Sequence, residues 1–320
     1  MVRVAARRSR AATRVGALGA VLLAVVGWSA STLFVRAAHA DAVVFTTWRL
    51  WFALPPLYAL VVLRRRRDTT SIVVPRGVSR SRWILVLVGG GAFFASSAAT
   101  AFAAIDLTRL LDVTLITSLQ PVIVMAFAAS FLAERVTVRQ YLMASVAIAG
   151  TIVVASAASG SGTWSLAGDL VAVVSLVLNA GWFLYGRAVR ARFAVDPIAF
   201  MLGVLGTAAV LLTPVAVITA GGLALPAAAV GFAACTMTTG TTAHCLMVWA
   251  HRYVPASVSA PLLLAEPPLV AVAAWMLFGE ALGAVEIVGS LVVVAVLVAM
   301  VRDQSLERVE QETPDPLAPA

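Results

Sequence analysis

Ten stretches of about 20 mostly apolar residues run through this chain, and they constrain its fold more than any other feature. A segment of that length, coiled as an α-helix, matches the hydrocarbon thickness of a bilayer and satisfies its own backbone N–H and C=O groups where no water can. The stretches cover 15–37, 42–63, 83–105, 110–132, 136–156, 166–187, 197–219, 227–250, 255–279 and 281–301. Of 320 residues, 61% are hydrophobic and 12% charged, with a mean hydropathy of +0.98. A soluble domain carries about 25% charged residues, so the apolar surplus must face lipid. The expected fold class is an all-α membrane protein with ten transmembrane helices.

The charges set its expected orientation. All 23 basic residues are arginines, and the net charge is +8. They lie mostly between the apolar stretches, a pattern of membrane topology rather than of nucleic-acid binding, so no nucleic-acid partner is expected. With the N-terminus inside, 20 arginines fall on the inner side and two, Arg36 and Arg109, on the outer, while Arg49 lies within a span. This split points to both termini in the cytoplasm and to a multi-pass protein of a bacterial cytoplasmic membrane. The N-terminus mimics a signal peptide, with a basic leader and Ala38-His39-Ala40. Its apolar run is longer than a signal h-region and nine more spans follow, so it reads as the first helix.

The chain also repeats itself. Gln120-Pro121, Glu134 and Gln140 recur 146 residues later as Glu266-Pro267, Glu280 and Glu286. Trp28 aligns with Trp182 at an offset of 154, and Asp41 and Phe45 align with Asp196 and Phe200 at 155. Each half holds five helices, and an odd number forces the second half to enter the membrane from the opposite side. Inverted repeats of this kind place a substrate site near the midplane, with access alternating between the two sides. The organisation reads as a basic cytoplasmic segment (1–14), a first repeat (15–156), a linker (157–165), a second repeat (166–301) and a disordered acidic tail (302–320).

Polar side chains inside spans are costly and mark function or buried pairing. Glu266 sits mid-span beside a helix-disturbing proline, placed to bind substrate or carry a coupling proton; pairing with Arg49 is the structural alternative. Gln120 is its neutral counterpart. Arg49 suits a carboxylate-bearing substrate because guanidinium binds carboxylates bidentately; its alternatives are an ion pair with Glu266 or Asp112, or snorkelling. One helical face carries Ser175, Asn179, Trp182 and Gly186, and Trp182 with its counterpart Trp28 is positioned to sandwich a substrate. His244 shares a span with Thr238, Thr241, Cys245 and Trp249. Glu134 and Glu280, at matched helix ends, suit helix-end hydrogen bonds or gating pairs. Gly89-Gly90-Gly91 permits close helix approach. Cys235 and Cys245 form no disulfide framework, and no metal, phosphate-loop or nucleophile motif is present. No cofactor and no enzymatic activity are expected.

These residues resemble the drug/metabolite transporter superfamily, specifically its EamA-domain proteins. The likeness runs through Gly27-Trp28-Ser29, Trp48-Arg49-Leu50, Ser118-Leu119-Gln120-Pro121 and Ala133-Glu134-Arg135, then Val254-Pro255-Ala256-Ser257, Ala265-Glu266-Pro267 and Phe278-Gly279-Glu280. It covers about 15–301. Gln120 and His244 depart from the residue types common at those places. The resemblance implies ten helices, a small-molecule substrate and a lipid environment, and leaves a homodimer open. The expected function is a secondary transporter moving an amino acid or related metabolite, in the export direction, with Glu266 available for proton coupling. A drug or nucleobase carrier, a lipid flippase and an enzyme on lipid-linked substrates are the competing readings.

Overall fold

The structure, a computed structural model, describes residues 2–67, 74–108, 110–132, 134, 136–157, 165–279 and 282–312. Every regular element among them is helical. Eight of the expected spans are continuous: α1 (Val2–Ala37), α2 (Ala42–Arg67), α3 (Arg80–Leu107), α6 (Val138–Ala157), α7 (Leu166–Arg192), α8 (Pro197–Ala220), α9 (Ala227–Ala250) and α12 (Ala284–Glu312).

The other two are broken, and at matched places. Residues 110–132 form α4 (Leu110–Thr117) and α5 (Gln120–Phe131), with a turn at Ser118-Leu119 between them. Residues 255–279 form α10 (Ala256–Leu262), a 3-10 turn (Leu263–Ala265) and α11 (Glu266–Phe278). Proline is the cause in both. Pro121 has no N–H to offer the carbonyl four residues back, and Pro267 and Pro268 repeat that loss in the second half. Around the second break, the Glu266 N–H turns to the Leu263 carbonyl in 3-10 geometry. Gln120 and Glu266 therefore stand at the starts of half-helices, and not in mid-helix as their place in the apolar stretches suggests.

Nine helical segments among the described residues are long and apolar enough to cross a membrane, against ten expected. The exception is α9, whose length of 24 residues suffices. Its threonines and His244 dilute its apolar character, and it packs among α1, α2, α7 and α8 rather than facing lipid all round. The helices also overrun two expected borders. Helix α1 begins at Val2, inside the segment assigned as a basic leader. Helix α12 continues to Glu312, so the backbone at 302–312 is helical where disorder was expected. Arg, Gln, Leu and Glu are good helix formers, and no proline or glycine interrupts them before Pro314. Arg109, Arg135, Glu280 and residues 313–320 lie outside the described residues.

Several repeated residues prove to be helix caps. The Asp41 carboxylate accepts from the Val43 and Val44 N–H groups, both at 3.0 Å, and Asp196 does the same for Ile198 and Ala199 at 2.8 and 3.2 Å. Gln140 accepts from Thr137 N–H at 3.1 Å, and Glu286 from Gly283 N–H at 2.8 Å, each three residues into its helix. Phe45 and Phe200, also repeated, are completely buried.

The bundle is assembled by pairing across the halves. Helix α1 packs on α9 and α3 on α7; α2 packs on α8 and α6 on α12. Exchanging the first five spans with the last five maps this set of pairs onto itself. In lipid, burying apolar surface drives helix association little, so close contact through small residues takes over. At the α6–α12 crossing, a Cβ added to Gly150 would lie 3.0 Å from the Gly289 carbonyl oxygen, and one on Gly289 2.8 Å from that of Gly150. Within Gly89-Gly90-Gly91, a Cβ on Gly91 would meet Thr207 Cβ at 2.4 Å, so α3 and α8 touch where the sequence allowed close approach.

Candidate functional site

Between the two broken spans lies a cavity of about 800 Å³. Helices α1, α2, α3, α6, α7, α9 and α12 complete its walls. The seven residues expected to bind substrate line it: Trp28, Arg49, Gln120, Asn179, Trp182, His244 and Glu266. They come from six elements and both halves, so the fold brings together residues up to 238 positions apart in sequence.

Glu266, first residue of α11, accepts a hydrogen bond from Thr32 Oγ1 of α1 at 3.1 Å. Its carboxylate makes no ion pair with Arg49. The Arg49 guanidinium opens on the cavity and makes no hydrogen bond or ion pair with any described residue, so neither expected partner, Glu266 or Asp112, neutralises it. A cation left without a counter-ion in a low-dielectric site attracts an anionic group strongly. The side chains of Gln120 and Asn179 also make no hydrogen bond among the described residues and remain available to a ligand.

The aromatic wall differs from the expected sandwich. Trp28 meets His244 edge-on at 5.1 Å, His244 meets Phe94 at 5.1 Å, and Phe94 stands perpendicular to Trp182 at 5.7 Å. The two tryptophans are thus the ends of a four-ring chain, with His244 and Phe94 filling the space between them. Phe94 carries no signal in a Gly- and Ala-rich helix and was not picked out. Thr32, one turn beyond Trp28, was not picked out either, although it is the hydrogen-bond partner of Glu266. Helical spacing also over-assigned residues. Gly186 lies outside the lining, 3.6 Å (from its virtual Cβ) from His251 Nδ1, and Thr238, Thr241, Cys245 and Trp249 do not line the cavity.

The cavity extends toward one end of the bundle, past Ile105, Val113, Leu282 and Glu286. At the opposite end it is sealed. There Glu134, just beyond α5, accepts from Arg187 Nε at 3.0 Å, Ala256 N–H at 3.1 Å, and the Ser257 N–H and hydroxyl at 3.0 and 2.9 Å. Arg187 Nη1 also donates to the His251 carbonyl at 2.5 Å. Arg190 donates to the carbonyls of Val248 and Val195. The His251 ring is 2% exposed and packs edge-on against Phe183 at 4.6 Å. Burial, then the charges of Arg187 and Arg190, push it down to about 3, so the ring is neutral.

A many-helix membrane protein with a polar chamber walled by both of its halves belongs to the class of multi-pass transporters. The chain is a member of the EamA-like transporter family, which matches residues 15–156 and again residues 166–302. The duplication read from the 146-residue offset is therefore a duplication of the family unit. No curated protein matches it significantly by sequence. Among solved structures, one crystal structure of a protein superposes with a TM-score of 0.72 over 89% of this chain and 96% of that chain. At 16% identity, that likeness shows the fold alone.

Proposed function

We propose that this protein is a secondary transporter that carries a small carboxylate-bearing metabolite, an amino acid or a related compound, across the cytoplasmic membrane. The observation that carries this reading is the unneutralised Arg49 in a chamber that also presents Glu266, Gln120 and Asn179. Arg49 holds the carboxylate. Gln120 and Asn179 supply neutral donors and acceptors, and Trp28, His244 and Trp182 cover the apolar part of the ligand. Glu266 takes up and releases the coupling proton, with Thr32 orienting it. Export is the proposed direction, within a family resemblance that implies export or uptake.

The arginine distribution supports cytoplasmic termini, and with them a sealed end on the cytoplasmic side and a chamber facing outward. The self-mapping pairs of helices support inverted halves and alternating access by rocking of one against the other. The chamber lies within one chain, so a homodimer, if formed, would hold one site per protomer. The four-ring chain also favours a second reading, a carrier of planar nucleobase- or drug-like compounds.

A thermal-shift screen separates the two. A ligand at a hundred times its Kd stabilises the folded protein by about 2.7 kcal/mol. Shifts by amino acids that vanish in Arg49→Gln support the carboxylate reading. Shifts by neutral planar compounds that survive in Arg49→Gln support the second.

A further inference from the structure

The sealed end of the chamber is built differently from the rest of the bundle. Elsewhere the halves meet through small and apolar side chains with single polar contacts between them, such as Thr32 with Glu266 and the Arg64–Asp196 pair. Here a single carboxylate, Glu134 of the first half, receives four hydrogen bonds, all from the second half: one from α7 and three from the start of α10. All seven residues of α10 are buried, so this short helix is a plug seated among α1, α5, α7 and α12. Its N-terminal N–H groups have no partner within the helix, and Glu134 supplies one. The plug is retained by a charged cluster that can be made or broken as a unit.

His251 adds an independent observation. Neither of its ring nitrogens has a hydrogen-bond partner among the described residues, although the ring is buried and neutral. A neutral imidazole must donate at one nitrogen and accept at the other. The sealed arrangement therefore leaves a buried polar ring unsatisfied, beside the carbonyl that receives Arg187. A seal carrying such a cost is poised to open, because the ring meets water or a partner once the end parts.

We infer that Glu134, Arg187 and the N-terminus of α10 form a gate: a clasp that is closed in this structure and must part for the chamber to open at its second end. Glu134 thereby selects the side of the membrane the substrate site faces, without touching the substrate. The inference rests on the carrier reading above. Glu280, which occupies the matched position in the other half, falls outside the described residues.

The test measures distance and needs no substrate. In full-length protein with Cys235 and Cys245 changed to alanine, spin labels are placed at Val138→Cys and Ala194→Cys, exposed positions flanking the clasp on the two halves. The protein in nanodiscs is expected to give one dominant short distance. Arg187→Gln leaves the Glu134 cap on α10 but removes the ion pair, and is expected to raise the ratio of long to short distances by about tenfold, the effect of losing one buried charge-assisted bond. Ser257→Ala removes only the hydroxyl's bond and is read in the same way should Arg187→Gln fail to fold, with a smaller rise of about threefold. Unchanged distances in a folded variant that merely melts at lower temperature would overturn the gate and make the cluster a static staple. Flux measured in parallel keeps the two claims apart. Loss of saturable transport by the wild-type protein defeats the carrier reading, and leaves the distance result to judge the clasp.

Discussion

The two broken spans start from nearly the same sequence logic and end in different surroundings. Both halves interrupt a helix at a polar residue followed by proline, and both then resume with a half-helix, α5 or α11. Their leading segments diverge. In the second half, α10 is buried along its whole length and held by Glu134. In the first half, Val113, Thr114 and Thr117 of α4 line the open chamber. The repeat thus supplies two equivalent devices, and the structure shows one seated and the other facing the cavity. Symmetry in sequence combined with asymmetry in packing is what a carrier caught facing one side would display. The lesson is that the break is common to both devices, while the packing of the leading segment differs between them.

Breaking the seated device should have the largest effect. Glu134→Ala strips the cap from α10 and leaves Arg187 buried without its anion. It is expected to destabilise the protein by about 3–5 kcal/mol, the range for removing one member of a buried pair, and a thermal unfolding curve in detergent checks this.

Acid should weaken the same end. The folded-state value of His251 lies near 3, below the ordinary value of about 6.5 expected in the unfolded chain. Stability from keeping the ring neutral is fully present above about pH 6.5. It falls as pH drops below that, because the unfolded chain binds a proton that the folded chain refuses. Between pH 6.5 and 5 the loss is about 2 kcal/mol, and it should disappear in His251→Gln; equal acid sensitivity in that variant would place the effect elsewhere.

The open device is probed through the chamber. Arg49→Gln should weaken binding of a carboxylate ligand about tenfold or more while leaving the melting temperature of the unliganded protein unchanged or higher, since Arg49 has no partner to lose. Thr32→Ala should have the smallest effect, a few-fold change in transport, as it removes one hydrogen bond worth about 1 kcal/mol from Glu266. A melting temperature that fell sharply in Arg49→Gln would mean that the arginine is structural.

Much of this was legible in the sequence because bilayers enforce simple rules. Apolar length gives the helices, and the repeated Gln120-Pro121 and Glu266-Pro267 mark where the prolines act, although ten unbroken spans were expected and two are broken there. The seven lining residues could be named because a polar group within an apolar stretch has few harmless positions. Three things were not legible. That Asp41, Asp196, Gln140 and Glu286 repeat as helix caps depends on exact helix starts, which hydropathy blurs. Phe94 entered the chamber through tertiary packing alone. The clasp on α10 joins residues 122 and 123 positions apart, a contact that no local pattern encodes.

The central claim is that the chamber between the broken spans carries a small molecule across the membrane. Substrate flux in proteoliposomes, measured against concentration with and without an imposed pH gradient, tests it most directly. The expected result is flux that saturates, is driven by the gradient, and loses that drive in Glu266→Gln. Flux that never saturates, or chemical conversion of the solute without its passage, would contradict it.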